Sequence, residues 1–264
     1  MSRSITLQTL AEHRAAGRAF SCLTAYDACL ARLADGAGIE VLLVGDSLGM
    51  VLQGRDATLA VTLDEMVYHT GCVARGRQRS LVMADLPFMN NATTEQILHS
   101  SGRLMQAGAH MVKLEGGVWL CEAVTELHRR GVPACVHLGL TPQSVHTLGG
   151  YRVQGRERQK AQELIDTATA LEAAGAAVIL LECVPRTLAA RVHEALEVPV
   201  IGIGAGPEVD GQILVMHDML GATSGHVPRF VKDFLVESGT LEGAFRAYHD
   251  AVRERRFPAP EHCF

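Results

Sequence analysis

The chain has 264 residues, of which 48% are hydrophobic and 20% are charged. This composition supplies enough apolar surface for one large core and argues against disorder. The 24 basic residues face 29 acidic ones and form no basic run, so no nucleic-acid partner is expected.

The first residues, MSRSITLQTLAEHRAAG, lack the apolar centre of a signal peptide. No apolar run approaches the ~20 residues that span a bilayer, so we expect a cytoplasmic protein with no membrane partner. Seven cysteines without a CxxC pair predict free thiols rather than disulfides or a zinc site. Cys22, Cys135 and Cys183 lie in apolar runs, where a buried structural role is expected.

In chain order, an amphipathic segment at 6–16 predicts a helix ahead of the first apolar run. The runs that follow are continuous rather than alternating, which favours strands buried on both faces of a parallel sheet. The predicted strands are FSCLTAYD (20–27), VLLVGDS (41–47), SLVMADLPF (80–88), HMVKLEG (110–116), PACVHLGL (133–140), AVILLEC (177–183), VPVIGIGAG (198–206) and QILVMHD (212–218).

Helical spacing separates most of these runs. Thr62 and Glu65 form a predicted capping box at the start of one such helix, and Gly76 is suited to end it. The predicted helices cover 62–76, 93–108, 118–130, 159–174 and 187–196, with a helical tail at 239–255.

The alternation of strand and helix repeats about every 33 residues, which is the size of one βα unit. An α/β fold follows, namely a (β/α)8 TIM barrel with an N-terminal helix and a C-terminal helical tail, formed as a single domain over 1–264. The irregular stretches 47–61 and 141–158 follow strands two and five, so we expect both to act as lids at one end of the barrel.

Charged side chains stand at the ends of several predicted strands, and the carboxyl ends of barrel strands converge on one mouth. Lys113 precedes Glu115 by two residues, so the alternation of a strand points both side chains the same way. The strand-end residues are Asp46, Asp85, Glu115, His137 and Glu182.

Each of these residues also has a structural interpretation. Asp46 and Ser47 are suited to cap the next helix, and Lys113 with Glu115 to form an ion pair. His137 is suited to be a satisfied core histidine, and Glu182 to bond Arg186. Together the acids are harder to explain this way, because burying like charges is costly without a compensating cation or proton.

Three carboxylates without clustered His or Cys favour a hard cation such as Mg2+. A cation with open positions is able to chelate a 2-oxo acid and make a proton on the adjacent carbon removable, giving an enolate. Lys113 is then placed to stabilise the enolate, and Glu182 to act as the general base.

Three long segments resemble the ketopantoate hydroxymethyltransferase family, and the resemblance runs in order through nearly the whole chain. They are TAYDACLARLADGAGIEVLLVGDSLGMVLQG (24–54), HLGLTPQSVHTLGGYRVQGR (137–156) and VPVIGIGAGPEVDGQILVMHDMLG (198–221). GDS after a strand is also shared with the wider phosphoenolpyruvate mutase and isocitrate lyase superfamily.

The resemblance implies a Mg2+-dependent transfer of a hydroxymethyl group from 5,10-methylenetetrahydrofolate, as co-substrate, to 3-methyl-2-oxobutanoate in pantothenate biosynthesis. It implies large cytoplasmic homo-oligomers, commonly decamers, and Glu182 as the proton acceptor. The metal positions are Asp46, Asp85 and Glu115, and the residues expected to bind the oxo acid are Asp46, Ser47, Asp85, Lys113 and His137.

The chain departs from the family pattern at Asn91, where an aromatic residue is expected at or near this position, and at Val136, where glycine is common. GIGAG at 202–206 has two interpretations, a phosphate cradle or a tight turn, and we favour the turn.

Three functional hypotheses follow. The first is the hydroxymethyltransferase. The second is a Mg2+-dependent lyase of the mutase superfamily, although the lid LGMVLQGRDATLAVT lacks the cysteine such enzymes usually carry. The third is a non-catalytic barrel, which leaves the set of strand-end charges unexplained.

Overall fold

The structure is a computed structural model that describes residues 4–223, 225 and 227–264. Its strands form one closed, all-parallel barrel in which each strand pairs with its neighbours in the sequence and the last pairs with the first. The strands are β1 (Phe20–Thr24), β2 (Val41–Val44), β3 (Leu81–Asp85), β4 (Met111–Glu115), β5 (Ala134–Gly139), β6 (Val178–Glu182), β7 (Val200–Ile203) and β8 (Gly211–Leu214).

Helices lie between most of the strands, and the predicted (β/α)8 barrel is confirmed. They are α1 (Leu7–Ala15), α2 (Ala28–Ala37), α3 (Leu48–Val51), α4 (Leu63–Gly76), α5 (Thr94–Gln106), α6 (Cys121–Arg129), α7 (Val145–Leu148), α8 (Arg158–Ala173), α9 (Arg186–Ala195), α10 (Met216–Met219), α11 (Leu235–Ser238) and α12 (Leu241–Arg253). Short 3-10 turns cover Thr58–Ala60, Val118–Leu120, Pro142–Ser144 and Pro260–His262.

The apolar runs form strands because both of their faces are covered. Every residue of β1 to β4 is buried, between the barrel interior and the surrounding helices. The predicted runs extend past the strands at their carboxyl ends, as at 20–27 against Phe20–Thr24. Ala25 and Tyr26, which follow β1, are still buried, so hydrophobicity alone does not mark where hydrogen bonding between strands ends.

The two segments flanking the barrel also form as predicted, as α1 and α12. The hydroxyl of Tyr248 on α12 lies 2.9 Å from the carbonyl oxygen of Cys22 and 2.8 Å from that of Gln212, so the tail packs across β1 and β8. The capping box of α4 is present, with Thr62 N donating to Glu65 at 2.7 Å. Within the described residues, no helix is both long and apolar enough to cross a bilayer.

The register of the barrel sets charged residues side by side at one end. Asp85 pairs with Lys113, Glu115 with His137, and Gly139 with Glu182. The carboxyl ends of β3 to β6 therefore bring these charged side chains together at one mouth of the barrel.

The loops after β2 and β5 lie at the same end and touch each other. Thr58–Ala60 contacts Pro142–Ser144, and the hydroxyl of Tyr151 reaches Sδ of Met50 at 3.8 Å. The two loops therefore lie at one end of the barrel, as expected, and their role as lids stays a prediction.

Candidate active site

The mouth contains a buried cluster built around Lys113. Its ammonium nitrogen lies 2.6 Å from Oδ1 of Asp85 and 3.8 Å from Oε1 of Glu115. Burial alone lowers the pKa of Lys113, but the charges of Asp85, Glu115 and Asp46 outweigh it and raise that pKa. Lys113 is therefore charged at neutral pH.

Among the residues that the structure describes, no cationic side chain forms a salt bridge with Asp46. Its Oδ2 accepts a hydrogen bond of 2.8 Å from Nε2 of Gln143, and its backbone N donates to Oδ2 of Asp85 at 3.1 Å. Burial, followed by the charges of Asp85 and Glu115, raises the pKa of Asp46 well above its usual range. The mouth thus holds a carboxyl group that is costly to ionise unless a further positive charge arrives.

Gly45 makes the close approach between β2 and Asp85 feasible. A Cβ on this residue would lie 2.9 Å from Oγ of Ser47 and 3.5 Å from Oδ2 of Asp85. A side chain here would push on Ser47 and would touch Asp85, so the glycine leaves Ser47 its place while the backbone after β2 lies against the acid that ends β3.

His137 lies between two acids. Its Nδ1 is 3.2 Å from Oε1 of Glu115, and its Nε2 is 3.2 Å from Oε2 of Glu182, without the alignment of a good hydrogen bond. Burial and Lys113 lower the pKa of His137, but the two acids outweigh them and raise it to about 9. His137 is therefore protonated at neutral pH and orients both carboxylates.

Glu115 is held in its ionised form. Burial raises the pKa of Glu115, but His137, Lys113 and the backbone N–H of Gln143, which donates to Oε2 at 2.9 Å, together lower it. Glu182 is the most accessible acid of the cluster, with 15% of its side chain exposed against 4% for Glu115. Glu182 therefore faces the space from which a substrate would enter.

The cluster carries more negative than positive charge. Four carboxylates (Asp46, Asp85, Glu115 and Glu182) face two cations, Lys113 and His137. When all are ionised, two negative charges remain unbalanced, which matches the charge of one divalent cation.

The donor set fits a hard cation, because it consists of carboxylate oxygens without thiolates. In the part of the chain that the structure describes, however, no three acidic, histidine or cysteine side chains already converge as a metal site. Lys113 and Gln143 bond to one oxygen each on Asp85 and Asp46. The assignment of Asp46, Asp85 and Glu115 as metal ligands therefore stays a prediction.

Two structural interpretations from the sequence prove wrong. Ser47 makes no side-chain capping bond to α3, and its Oγ instead lies 2.9 Å from the hydroxyl of buried Tyr26. Arg186 pairs with Glu208 rather than with Glu182. Asp46, Ser47 and Glu182 are thus left facing the mouth rather than engaged in capping or surface pairing.

The sequence reasoning missed Gln143, whose side chain is buried at 7% exposure. Its Nε2 also donates to the carbonyl oxygen of Leu86 at 2.9 Å, so one residue of the β5 loop joins the ends of β2, β3 and β4. The sequence does place Gln143 in the long loop 141–158 at the mouth of the barrel, but that placement does not distinguish Gln143 from the other residues of the loop.

Asn91 is one of the positions at which the chain departs from the family pattern. Asn91 lies beside the cluster and donates from Nδ2 to the carbonyl oxygen of Glu115 at 2.9 Å. In the GIGAG segment, Gly204 and Gly206 have φ of +58° and +84°, and a Cβ on Gly204 would lie 2.8 Å from Phe230. The preferred tight-turn interpretation is confirmed.

All seven cysteines are free, and Cys22, Cys135 and Cys183 are buried, as predicted.

A closed parallel barrel with acids, a lysine and a histidine at the carboxyl ends of its strands belongs to the class of (β/α)8 barrels, whose active sites lie at that end. Phosphonopyruvate hydrolase superposes with a TM-score of 0.62 at 16% identity, covering 82% of this chain and 83% of that one. A 2,3-dimethylmalate lyase of the phosphoenolpyruvate mutase and isocitrate lyase superfamily gives 0.61 at 18% identity, covering 82% of each chain. At these identities the likeness establishes the fold alone.

The family model described as ketopantoate hydroxymethyltransferase matches residues 4–260. A 3-methyl-2-oxobutanoate hydroxymethyltransferase from Chromohalobacter salexigens is 63% identical over 262 residues, which are 99% of this chain and 100% of that protein. One from Alcanivorax borkumensis is 58% identical over 261 residues, 99% of this chain and 100% of that protein. The chain belongs to the ketopantoate hydroxymethyltransferase family.

Proposed function

We propose that the chain transfers a hydroxymethyl group from 5,10-methylenetetrahydrofolate to 3-methyl-2-oxobutanoate. With one water consumed, the products are 2-dehydropantoate and tetrahydrofolate. The family assignment favours this over the lyase and the non-catalytic barrel. The observation that carries the proposal is the accessible carboxylate of Glu182, which is held 3.2 Å from His137 beside a buried, negatively charged cluster.

Within this proposal, Asp46, Asp85 and Glu115 hold Mg2+. When bound, the ion supplies electrophilic polarisation of the 2-oxo group and compensates the excess negative charge of the mouth. The buried acids are the hard oxygen donors that Mg2+ prefers.

The protein's own residues then act on the oxo acid. Glu182 accepts the C3 proton, and the electron pair left on C3 delocalises towards the 2-oxo oxygen. Lys113, which is charged and buried, stabilises the negative charge that develops there. His137 keeps the carboxylate of Glu182 oriented, and Ser47 offers a hydroxyl to the substrate.

Carbon–carbon bond formation follows at the same carbon. C3 bonds to the one-carbon unit of the folate donor, and one water supplies the oxygen of the new hydroxymethyl group. Both bonds from that carbon, to N5 and to N10 of the folate, break with their electron pairs returning to nitrogen. The two nitrogens take up the proton removed from C3 and one proton of the water. The two lid segments exclude bulk water from the mouth, which strengthens every charge interaction inside it.

We also propose that the protein is a cytoplasmic homo-oligomer, as the family resemblance implies. Sedimentation velocity of the purified chain tests the oligomer. A single monomeric species across the accessible concentration range would contradict it.

The decisive experiment separates proton removal from transfer. We expect the wild-type protein with Mg2+ to exchange the C3 proton of 3-methyl-2-oxobutanoate with D2O, followed by proton NMR. Glu182→Gln should slow exchange by about 10²- to 10⁴-fold, as expected for loss of a general base, with oxo-acid affinity retained. Glu122→Gln, on the exposed face of α6, is the matched control and should leave exchange unchanged. Unimpaired exchange in Glu182→Gln would remove Glu182 as the base.

A further inference from the structure

A cavity of about 500 Å³ opens directly beside the acidic cluster. Glu115 and Gln143, both buried members of the cluster, lie in its wall. We call it the Trp119 cavity, and its lining is Phe88, Met89, Asn91, Ala92, Glu115, Gly116, Trp119, Gly139, Thr141, Gln143 and Ser144. Three loops, those that follow β3, β4 and β5, therefore enclose a space that continues from the proposed reaction centre.

Large apolar side chains line the outer part of this cavity and remain exposed. The exposed fractions are 39% for Phe88, 57% for Met89 and 58% for Trp119. These residues come from two separate loops and converge on one opening. Apolar side chains that cluster at a concave site, rather than being scattered singly, indicate a binding surface.

The position of the Trp119 ring depends on a glycine that precedes it in the chain. A Cβ on Gly116 would lie 2.6 Å from Cζ2 of the indole, and one on Gly117 would lie 3.7 Å from its Cδ1. The first distance is a clash and the second an ordinary contact, so Gly116 is the residue that lets the indole pack against the backbone at the carboxyl end of β4. The ring therefore lies next to the residue that follows Glu115 of the cluster.

The cavity also offers hydrogen-bonding groups at the edge of a flat ligand. Asn91 uses Nδ2 on the carbonyl oxygen of Glu115, which leaves its own Oδ1 as an acceptor. Among the described residues, the hydroxyls of Thr141 and Ser144 make no hydrogen bond. Aromatic faces combined with a few polar groups suit a planar heterocycle that carries its own donors and acceptors.

We propose that the Trp119 cavity binds the pterin ring of the folate donor, with Phe88 and Trp119 contacting the ring. This inference rests on the proposed function and assigns the donor a place within it. The donor's one-carbon unit has to reach C3 of the oxo acid, so its ring has to occupy a space continuous with the cluster. The Trp119 cavity meets this requirement, and its volume lies within the usual range of ligand sites, about 300–1,000 Å³.

Trp119 is the only tryptophan of the chain, so selective tryptophan excitation reports on this cavity alone. We expect tetrahydrofolate to quench the fluorescence saturably after correction against free tryptophan. Phe88→Ala keeps the reporter and should weaken the apparent affinity about tenfold, equivalent to about 1.4 kcal/mol. Tyr68→Ala, which removes an aromatic ring 67% exposed on α4, is the matched control and should leave the affinity unchanged. No saturable quenching, or equal affinity in Phe88→Ala and the wild type, would overturn the proposal.

Kinetics separate this inference from the proposed function. We expect Trp119→Ala to raise KM for 5,10-methylenetetrahydrofolate about tenfold, with Trp119→Phe restoring most of the loss. KM for the oxo acid and the folate-independent exchange of its C3 proton should stay at wild-type values. If Trp119→Ala shows normal exchange and an unchanged KM for the folate, the assignment of the Trp119 cavity to the pterin ring is refuted, while the proposed function stands. Absence of exchange in the wild type would refute the proposed function and this inference with it. If Trp119→Ala instead dissociates an oligomer in sedimentation, the aromatic side chains belong to a subunit interface and the assignment fails.

Discussion

Replacing Asp46 by asparagine should stabilise the metal-free protein. Asp46 is 3% exposed, and its pKa is raised by burial and by the neighbouring acids. Two like charges about 5 Å apart repel by about 3 kcal/mol at an effective dielectric constant of about 20. Lys113 offsets part of this repulsion in the wild type, so we expect Asp46→Asn to gain about 1–2 kcal/mol. The carboxamide oxygen still accepts the hydrogen bond from Gln143.

The sign of the pH dependence follows from the same shift. The pKa of Asp46 is higher in the folded than in the unfolded state, so its contribution favours folding below the unfolded value. That contribution is lost as the pH rises through the folded pKa. The advantage of Asp46→Asn over the wild type should therefore be small near pH 4 and grow as the pH is raised.

The assay is urea unfolding with EDTA and again with saturating Mg2+. At 100 times its dissociation constant, Mg2+ should add about 2.7 kcal/mol to the wild type and much less to Asp46→Asn, so that the order of stability reverses. Asp250→Asn, on the exposed face of α12, is the matched control and should be as stable as the wild type both in EDTA and in Mg2+. A metal-free Asp46→Asn less stable than the wild type, or equal Mg2+ stabilisation of both, would refute the charge argument.

Three further changes test other parts of the structure. Lys113→Met leaves buried carboxylates without their ammonium partner, so it should lower the free energy of unfolding in urea by about 3–5 kcal/mol. Mg2+ should restore part of this loss. Wild-type stability of the variant in EDTA would contradict the burial argument. Gly139 has φ of +88°, and a Cβ there would clash with the carbonyl oxygen of Glu182 at 2.4 Å. Gly139→Ala should therefore lower the free energy of unfolding by about 1–3 kcal/mol and slow exchange of the C3 proton. Unchanged exchange, measured by NMR, would count against this packing. Burial raises the pKa of Asp35, but hydrogen bonds from residues 78–80 outweigh it and lower that pKa. Asp35→Asn should therefore cost about 1–3 kcal/mol near pH 7, and its urea-unfolding difference from the wild type should shrink as the pH falls below about 4; a pH-independent difference would show that the charge is not responsible.

The barrel and most of the acidic cluster could be predicted because both depend on repeating features of the sequence. Continuous apolar runs with glycine-ended helices between them specify a parallel sheet, and a closed sheet brings strand ends together. Asp85, Glu115 and Glu182 each directly end a strand, so their neighbourhood follows from topology alone. The pairing of Asp85 with Lys113 then follows from the register.

What could not be predicted depends on loop conformation. Gln143 reaches Asp46 because the loop after β5 turns inward at Pro142–Ser144, and no periodicity encodes that turn. Trp119 was assigned to a helix, whereas it lies in the 3-10 turn Val118–Leu120 ahead of α6. The sequence does contain a signal in Gly116, but its meaning depends on where the indole ring packs.

The central claim is that acids ending three different strands share one divalent ion at the barrel mouth. Anomalous diffraction from crystals soaked with Mn2+ and 3-methyl-2-oxobutanoate tests it most directly. We predict one strong Mn2+ peak within coordination distance of Asp46, Asp85 and Glu115, with the carboxylate and 2-oxo oxygens of the oxo acid on the same ion and Glu182 left free beside C3. A peak elsewhere, or an oxo acid bound away from these acids, would contradict the account.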